Sequence, residues 1–168
     1  MKYLKLINPE NATEEEVSNY KVREAVRAVV VDNEGKIALL HVVNENHYKL
    51  PGGGIEEGED KTLALKRECK EEIGCDVEIG EEFCAIAEYR KLAQLKHTSY
   101  CYTAKVISNK GSLDLTDEEK ERGSELVWMT YDEAIKAMSE SNPHSLVCIS
   151  YIAPRDFAIL EESKSYLK

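Results

Sequence analysis

The chain has 168 residues, of which 42% are hydrophobic and 32% charged, the profile of a water-soluble globular fold and, at this length, of one domain over 1–168. Its formal net charge is −10, which argues against broad binding to nucleic acid or to anionic lipid, since both want a basic face. An anionic substrate is not excluded, but it would need a metal cation or a local group of arginines and lysines to offset the repulsion.

At the N-terminus, "MKYLKLINPENATEEE" has no apolar h-region of a secretory signal. No apolar run approaches the roughly 18 residues of a membrane-spanning helix. A cytoplasmic location is therefore expected, and the Asn11 sequon carries no meaning there. "VREAVRAVVVD" (22–32) reads as a strand, "NEG" (33–35) as a turn and "KIALLHVV" (36–43) as a second strand, together a hairpin. "HYKL" is a short extended piece ending at Pro51. Asp60 is an N-cap for a helix reaching Ile73, with Gly74 as its stop. "CDVEIGEEFCAIAEYR" (75–90) and "HTSYCYTAKVI" (97–107) are two further strands. "SNKGSLDLTDEEKERGS" (108–124) reads as a polar, acidic connection. "ELVWMT" (125–130) is a short strand and "YDEAIKAMSE" (131–140) a helix. The tail from Pro143 is helical, with a break expected near Pro154. Five scattered cysteines without a CxxC pair point to reduced thiols. Mixed strands with two or three helices predict an α/β or α+β layered domain.

The predicted helix over 62–73 carries the chemistry. At roughly 100° per residue, Leu65, Cys69 and Ile73 form one apolar stripe, and Glu68, Glu71 and Glu72 fall in the sector beside it. Like charges at this spacing repel, and the nearby lysines lie on other sides of the helix. Oxygen clusters of this kind suit hard cations such as Mg²⁺ or Mn²⁺, which bridge to substrate phosphates. The three glycines Gly52, Gly53 and Gly54 allow close backbone approach to a ligand. A solvated acidic face is the simpler account of the three glutamates when they are taken alone. The stretch has neither the register of a P-loop nor that of a dinucleotide fingerprint.

Gly53, Glu59, Arg67-Glu68-Cys69, Glu71-Glu72 and Gly74-Cys75 together resemble the Nudix box, G-x5-E-x7-R-E-U-x-E-E-x-G-U, over 53–75, with all seven fixed positions matched. Cys69 and Cys75 stand where the family usually has bulky aliphatic residues. As small buried hydrophobes they are expected to be tolerated. "YKLPGGGIEEGE" and "LVWMTYDEA" also resemble the family's surroundings of the box. The resemblance implies an α/β/α sandwich with a mixed sheet between helices. It implies Mg²⁺- or Mn²⁺-dependent hydrolysis of a nucleoside diphosphate linked to another group, by water attack at phosphorus. It places Glu68 and Glu72 as metal ligands, Glu71 as a third ligand or a base, and the Gly52 carbonyl as a further ligand. Arg67 and Glu59 are then an ion pair that braces the helix against its loop.

Nudix enzymes often take one more glutamate from outside the box. Glu118, Glu119, Glu121 and Glu125 are the candidates, and Glu125, opening a strand, is favoured with Glu121 second. Arg23, Arg27, Tyr48, Lys49 and Arg90 are candidates for contact with substrate, as is the backbone at Gly53. Each of these side chains, taken singly, is explained more simply by surface exposure or strand-edge packing. His41, His47, His97 and His144 lack metal-ligand spacing and read as structural or exposed. Trp128 reads as a core anchor. A small nucleotide-type molecule is the expected partner, a homodimer is allowed, and nucleic acid and membrane are not expected. Two other readings stand beside hydrolysis: a silent nucleotide-binding or sensing module, and an isomerase of diphosphate lipids on the same fold.

Overall fold

A computed structural model describes residues 3–167. The strand predicted at 22–32 is β2 (Lys21–Val31), in which Ala28 and Val30 bury into one side of the sheet and Val29 into the other. A strand covered on both faces reads as a continuous apolar run rather than as an alternation, which explains its valines. β3 (Ile37–Val42) behaves in the same way, with Ile37 and Leu39 on one side and Ala38 on the other. β4 (His47–Lys49) follows a 3-10 turn over Val43–Glu45.

The strands β1 (Tyr3–Ile7), β5 (Val77–Arg90), β6 (Leu95–Val106) and β2 lie side by side in that order. β1 runs parallel to β5, β5 antiparallel to β6, and β6 parallel to β2, so the sheet is mixed. β3 meets β2 only at the hairpin end, Val31 to Ile37, and then pairs antiparallel with β4 on one edge and β7 (Ser124–Met129) on the other. β1 and the short α1 (Glu14–Val17), capped by Thr13 and Glu16, were not anticipated from the sequence.

Three helices cover the sheet. α2 (Lys61–Ile73) starts at the Asp60 cap and ends at Gly74, and it docks by Ala64, Leu65, Cys69 and Ile73 onto β2, β5 and β6. On the opposite face α4 (Tyr131–Glu140) and α5 (Ala153–Ser163) pack through Ala134, Met138, Ile159 and Leu160 against Val29, Leu39 and Ile86. The expected α/β sandwich with a mixed sheet between helices is therefore present. Two local expectations change. The acidic connection contains α3 (Asp117–Glu121). Pro154 does not break the tail; it is the second residue of α5, which continues without interruption from a π turn over Cys148–Ile152, and that wider turn is where the helix accommodates its missing N–H.

Candidate active site

The segment after β4 runs along the free edge of β2. The amides of Val26 and Ala28 donate to the carbonyls of Gly53 and Pro51 at 2.9 and 3.0 Å, and the Ile55 amide donates to Glu24 at 3.0 Å. This ladder leaves the Gly52 carbonyl off β2. Gly52 has φ +137, and a Cβ there would lie 2.1 Å from the Val26 carbonyl oxygen. A Cβ on Gly53 would lie 2.3 Å from Oε1 of Glu68. The glycines are therefore what lets the loop fit between β2 and the acidic sector of α2.

Glu72 faces this loop from α2 and is 1% exposed. Its Oε2 accepts the Gly52 amide at 2.7 Å and its Oε1 accepts Lys49 Nζ at 2.9 Å. Burial outweighs these two favourable contacts and pushes its pKa up to about 7. One turn back, Arg67 makes a fork to Glu59, Nε to Oε1 at 2.8 Å and Nη2 to Oε2 at 3.0 Å. The same guanidinium reaches Glu68 at 2.7 Å, Glu71 at 3.4 Å and the Gly54 carbonyl at 3.1 Å. The bond to Arg67 holds Glu59 below the usual carboxylate range, whereas burial and the neighbouring Glu68 raise Glu71. Arg67 and Lys49 thus supply the positive charge among the carboxylates.

Glu125 is exposed on β7 and does not line this cleft, while Glu119 does. Neighbouring residues of a strand point to opposite faces, and it is Ser124 that faces the cavity. Glu119 arrives on α3. The connection before α3 is pinned to the end of α2 by the Asp114 amide on the Glu71 carbonyl at 2.8 Å and the Gly111 amide on that of Gly74 at 2.9 Å. Glu119 closes the α3 capping box with Thr116 and approaches Lys49 Nζ at 3.5 Å, so that it shares this ammonium group with Glu72. Burial works against its charge, but Glu72, the Thr116 amide and Lys49 together hold it below the ordinary range. Glu121 is exposed. "TDEE" at 116–119 is itself a capping-box signal, the one feature of the sequence from which both α3 and Glu119 could have been read.

The cleft continues into a cavity with a cationic wall. Arg23, Arg27, Lys49, Arg90, Arg122 and Arg155 line it, together with His47 and His97. Arg90 pairs with Glu88 at 2.7 Å, and Arg155 with Asp156 at 2.6 Å. Asp156 also accepts the Leu50 amide at 2.9 Å, which ties α5 to the start of the glycine loop. Arg27 keeps one bond, to the Val26 carbonyl at 2.9 Å, and its Nε has no partner. Burial and then the surrounding arginines push His97 down to about 2, so it is a neutral imidazole, and its Nδ1 is unpartnered. Arg155, Asp156 and His97 gave no sequence signal of a site, because each is separated from the box by tens of residues, and His47, six residues before Gly53, gave none because no second metal-type ligand stands at a regular spacing from it. Tyr48 stacks on His41 at 4.4 Å and does not line this cavity.

The donors around the loop are oxygens of carboxylates and backbone, the set that fits a hard divalent cation. Among the described residues, three donor side chains within 4.8 Å of one another occur only at Glu45, His47 and Cys148, so the box carboxylates stand further apart, held by Arg67 and Lys49.

Comparison with known proteins agrees with this layout. The chain is 26% identical over 135 residues to a methanol dehydrogenase activator of Bacillus methanolicus, covering 76% of this chain and 71% of that one. Its fold is similar to a NUDIX hydrolase from Nitrosomonas europaea, with TM-score 0.65 and 18% identity, over 88% of this chain and 92% of that one. It is also similar to the C. elegans Ap4A hydrolase, with TM-score 0.57 and 19% identity, over 88% and 100% of the two chains. The NUDIX domain model matches residues 21–147. With three quarters of its length matched and the box on the loop and helix just described, the chain belongs to the NUDIX family, hydrolases of phosphoric anhydride bonds.

Proposed function

We propose that the protein is a Mg²⁺- or Mn²⁺-dependent pyrophosphohydrolase acting on a nucleoside diphosphate linked to a further group, with a nucleoside triphosphate included in that class. The observation that carries this reading is the junction of an acidic helix sector with an arginine-lined cavity in a chain of net charge −10. Carboxylates alone would repel a polyphosphate, and arginines alone would bind it without cleaving it.

Glu68, Glu71 and Glu72, with the Gly52 carbonyl and Glu119, are the groups that would hold the cation. When bound, the cation neutralises phosphate oxygens and acidifies a water. The protein's own residues do the rest. Arg67, braced by Glu59, holds Glu68 in place beside the glycine loop. Lys49 does the same for Glu72 and Glu119. Glu119 and Glu71 are the carboxylates nearest solvent that can take the proton of the attacking water. Arg27, with its free Nε, and Arg90 and Arg155 receive the anionic remainder of the substrate. All five cysteines are buried, which favours attack by water over a thiol nucleophile.

The test is cleavage of nucleoside triphosphates, nucleotide sugars and dinucleoside polyphosphates, read by chromatography as loss of substrate and appearance of nucleotide products, across Mg²⁺ and Mn²⁺ concentrations. One class should be turned over, with activity lost on chelation and restored by the cation. Absence of cleavage of every phosphoanhydride with either ion would refute the reading.

A further inference from the structure

The 3-10 turn after β3 and the π turn before α5 meet beside the cavity. The Asn46 side-chain amide donates to the Asn142 carbonyl at 3.0 Å, and the His144 amide to the Glu45 carbonyl at 3.2 Å. Where they meet, a ring nitrogen of His47, Sγ of Cys148 and a carboxylate oxygen of Glu45 lie within 4.8 Å of one another. The thiol donates to Glu45 Oε2 at 2.8 Å. His47 is 2% exposed, and its Nδ1 is buried without a hydrogen-bond partner. An orphaned imidazole nitrogen is costly in an interior, and the ring that carries it stands beside a thiol and a carboxylate.

We propose that Glu45, His47 and Cys148 form a zinc site, separate from the carboxylate cleft on α2. One sulfur, one nitrogen and one oxygen are the donors that zinc accepts and that Mg²⁺ declines. Tetrahedral zinc, with bonds of about 2.0–2.3 Å, sets its ligand atoms roughly 3.3–3.8 Å apart, so the side chains need only small rotations. Binding breaks the S–H bond; the proton leaves to solvent and the thiolate bonds to the metal. Thiolate, carboxylate and neutral imidazole then cancel the charge of the ion. Burial, the largest influence on His47, lowers its pKa and keeps the imidazole neutral. Arg122 Nε, 3.3 Å from Glu45 Oε1, orients that carboxylate and leaves Oε2 for the metal. Water takes the fourth position. The ion clips the C-terminal segment to the edge of β4 and so fixes the cavity wall that carries Val147, Ile152 and Arg155.

The experiment uses the full chain, stripped of metal and titrated with Co²⁺ and then Zn²⁺. With excess Mg²⁺ present throughout to fill the carboxylate cleft, wild type should take up one equivalent of Co²⁺ with a thiolate-to-cobalt charge-transfer absorption, and Zn²⁺ should displace it. Cys148→Ser should lose that absorption and bind Zn²⁺ at least a hundredfold more weakly. Glu45→Gln should keep the absorption with roughly tenfold weaker binding. Zn²⁺ should raise the melting temperature of wild type and not of Cys148→Ser, each compared with its own metal-free form, so that a variant of lower stability remains informative. A wild type with no thiolate absorption, or equal Zn²⁺ affinity and equal thermal shift in wild type and Cys148→Ser, would overturn the proposal. None of these readouts depends on hydrolysis.

Discussion

Glu72 is costly to the fold as a charge, and the proposed mechanism gives that cost a use. It is buried, accepts Gly52 and Lys49, and still titrates near 7. Its pKa is raised above the ordinary carboxyl value, so its contribution to stability is full below about pH 4.5 and is lost as pH rises through about 7. The difference amounts to about 3 kcal/mol. Metal-free wild type should therefore lose stability between pH 5 and 8 more steeply than Glu72→Gln, as read from chemical denaturation at a series of pH values. Added Mg²⁺ should flatten the wild-type curve. Glu119 gives a second prediction. Glu119→Gln should lower kcat or raise the Mg²⁺ requirement at least tenfold, whereas Glu125→Gln, on an exposed strand position, should leave both unchanged. The box glutamates were legible because their spacing is written in one helix. Glu119 was passed over because charge runs usually mark solvated loops, and the loop's attachment to α2 through backbone bonds has no signature in side-chain type.

At the scale of elements, the loop before α2 is the part most sensitive to a single methyl group. Gly52→Ala would press a Cβ against the fixed Val26 carbonyl, in a backbone conformation that L side chains rarely adopt. Gly53→Ala would press only against the movable Glu68 carboxylate. Gly52→Ala should therefore lower the melting temperature markedly. Gly53→Ala should keep it within a few degrees while reducing activity at least tenfold, a split that thermal melts and initial rates together can read. The sequence displayed α2 fully, cap to stop, because Asp60 and Gly74 bracket an apolar stripe of helical spacing. β2 was legible as a buried strand, yet its parallel pairing with β6 was not, since partner choice depends on the whole sheet.

Over the whole molecule, the site depends on helices from opposite faces of the sheet. α2 supplies the carboxylates. α5 supplies Arg155 and Asp156, the latter fastening the chain at Leu50, just ahead of the glycine loop. Asp156→Ala removes one partner of this buried pair and should cost about 3–5 kcal/mol, measured by denaturant unfolding. Nothing local to "APRDF" announces that role; it arises where the tail returns to the sheet, 106 residues after Leu50. The central claim is that the acidic sector of α2 is the catalytic centre. It is tested most directly by Mg²⁺-dependent turnover of wild type and Glu72→Gln on the best substrate found, with circular dichroism as the check on folding. A variant that folds normally and loses at least two orders of magnitude in kcat is the predicted result. A folded Glu72→Gln protein with a rate near that of wild type would contradict the account.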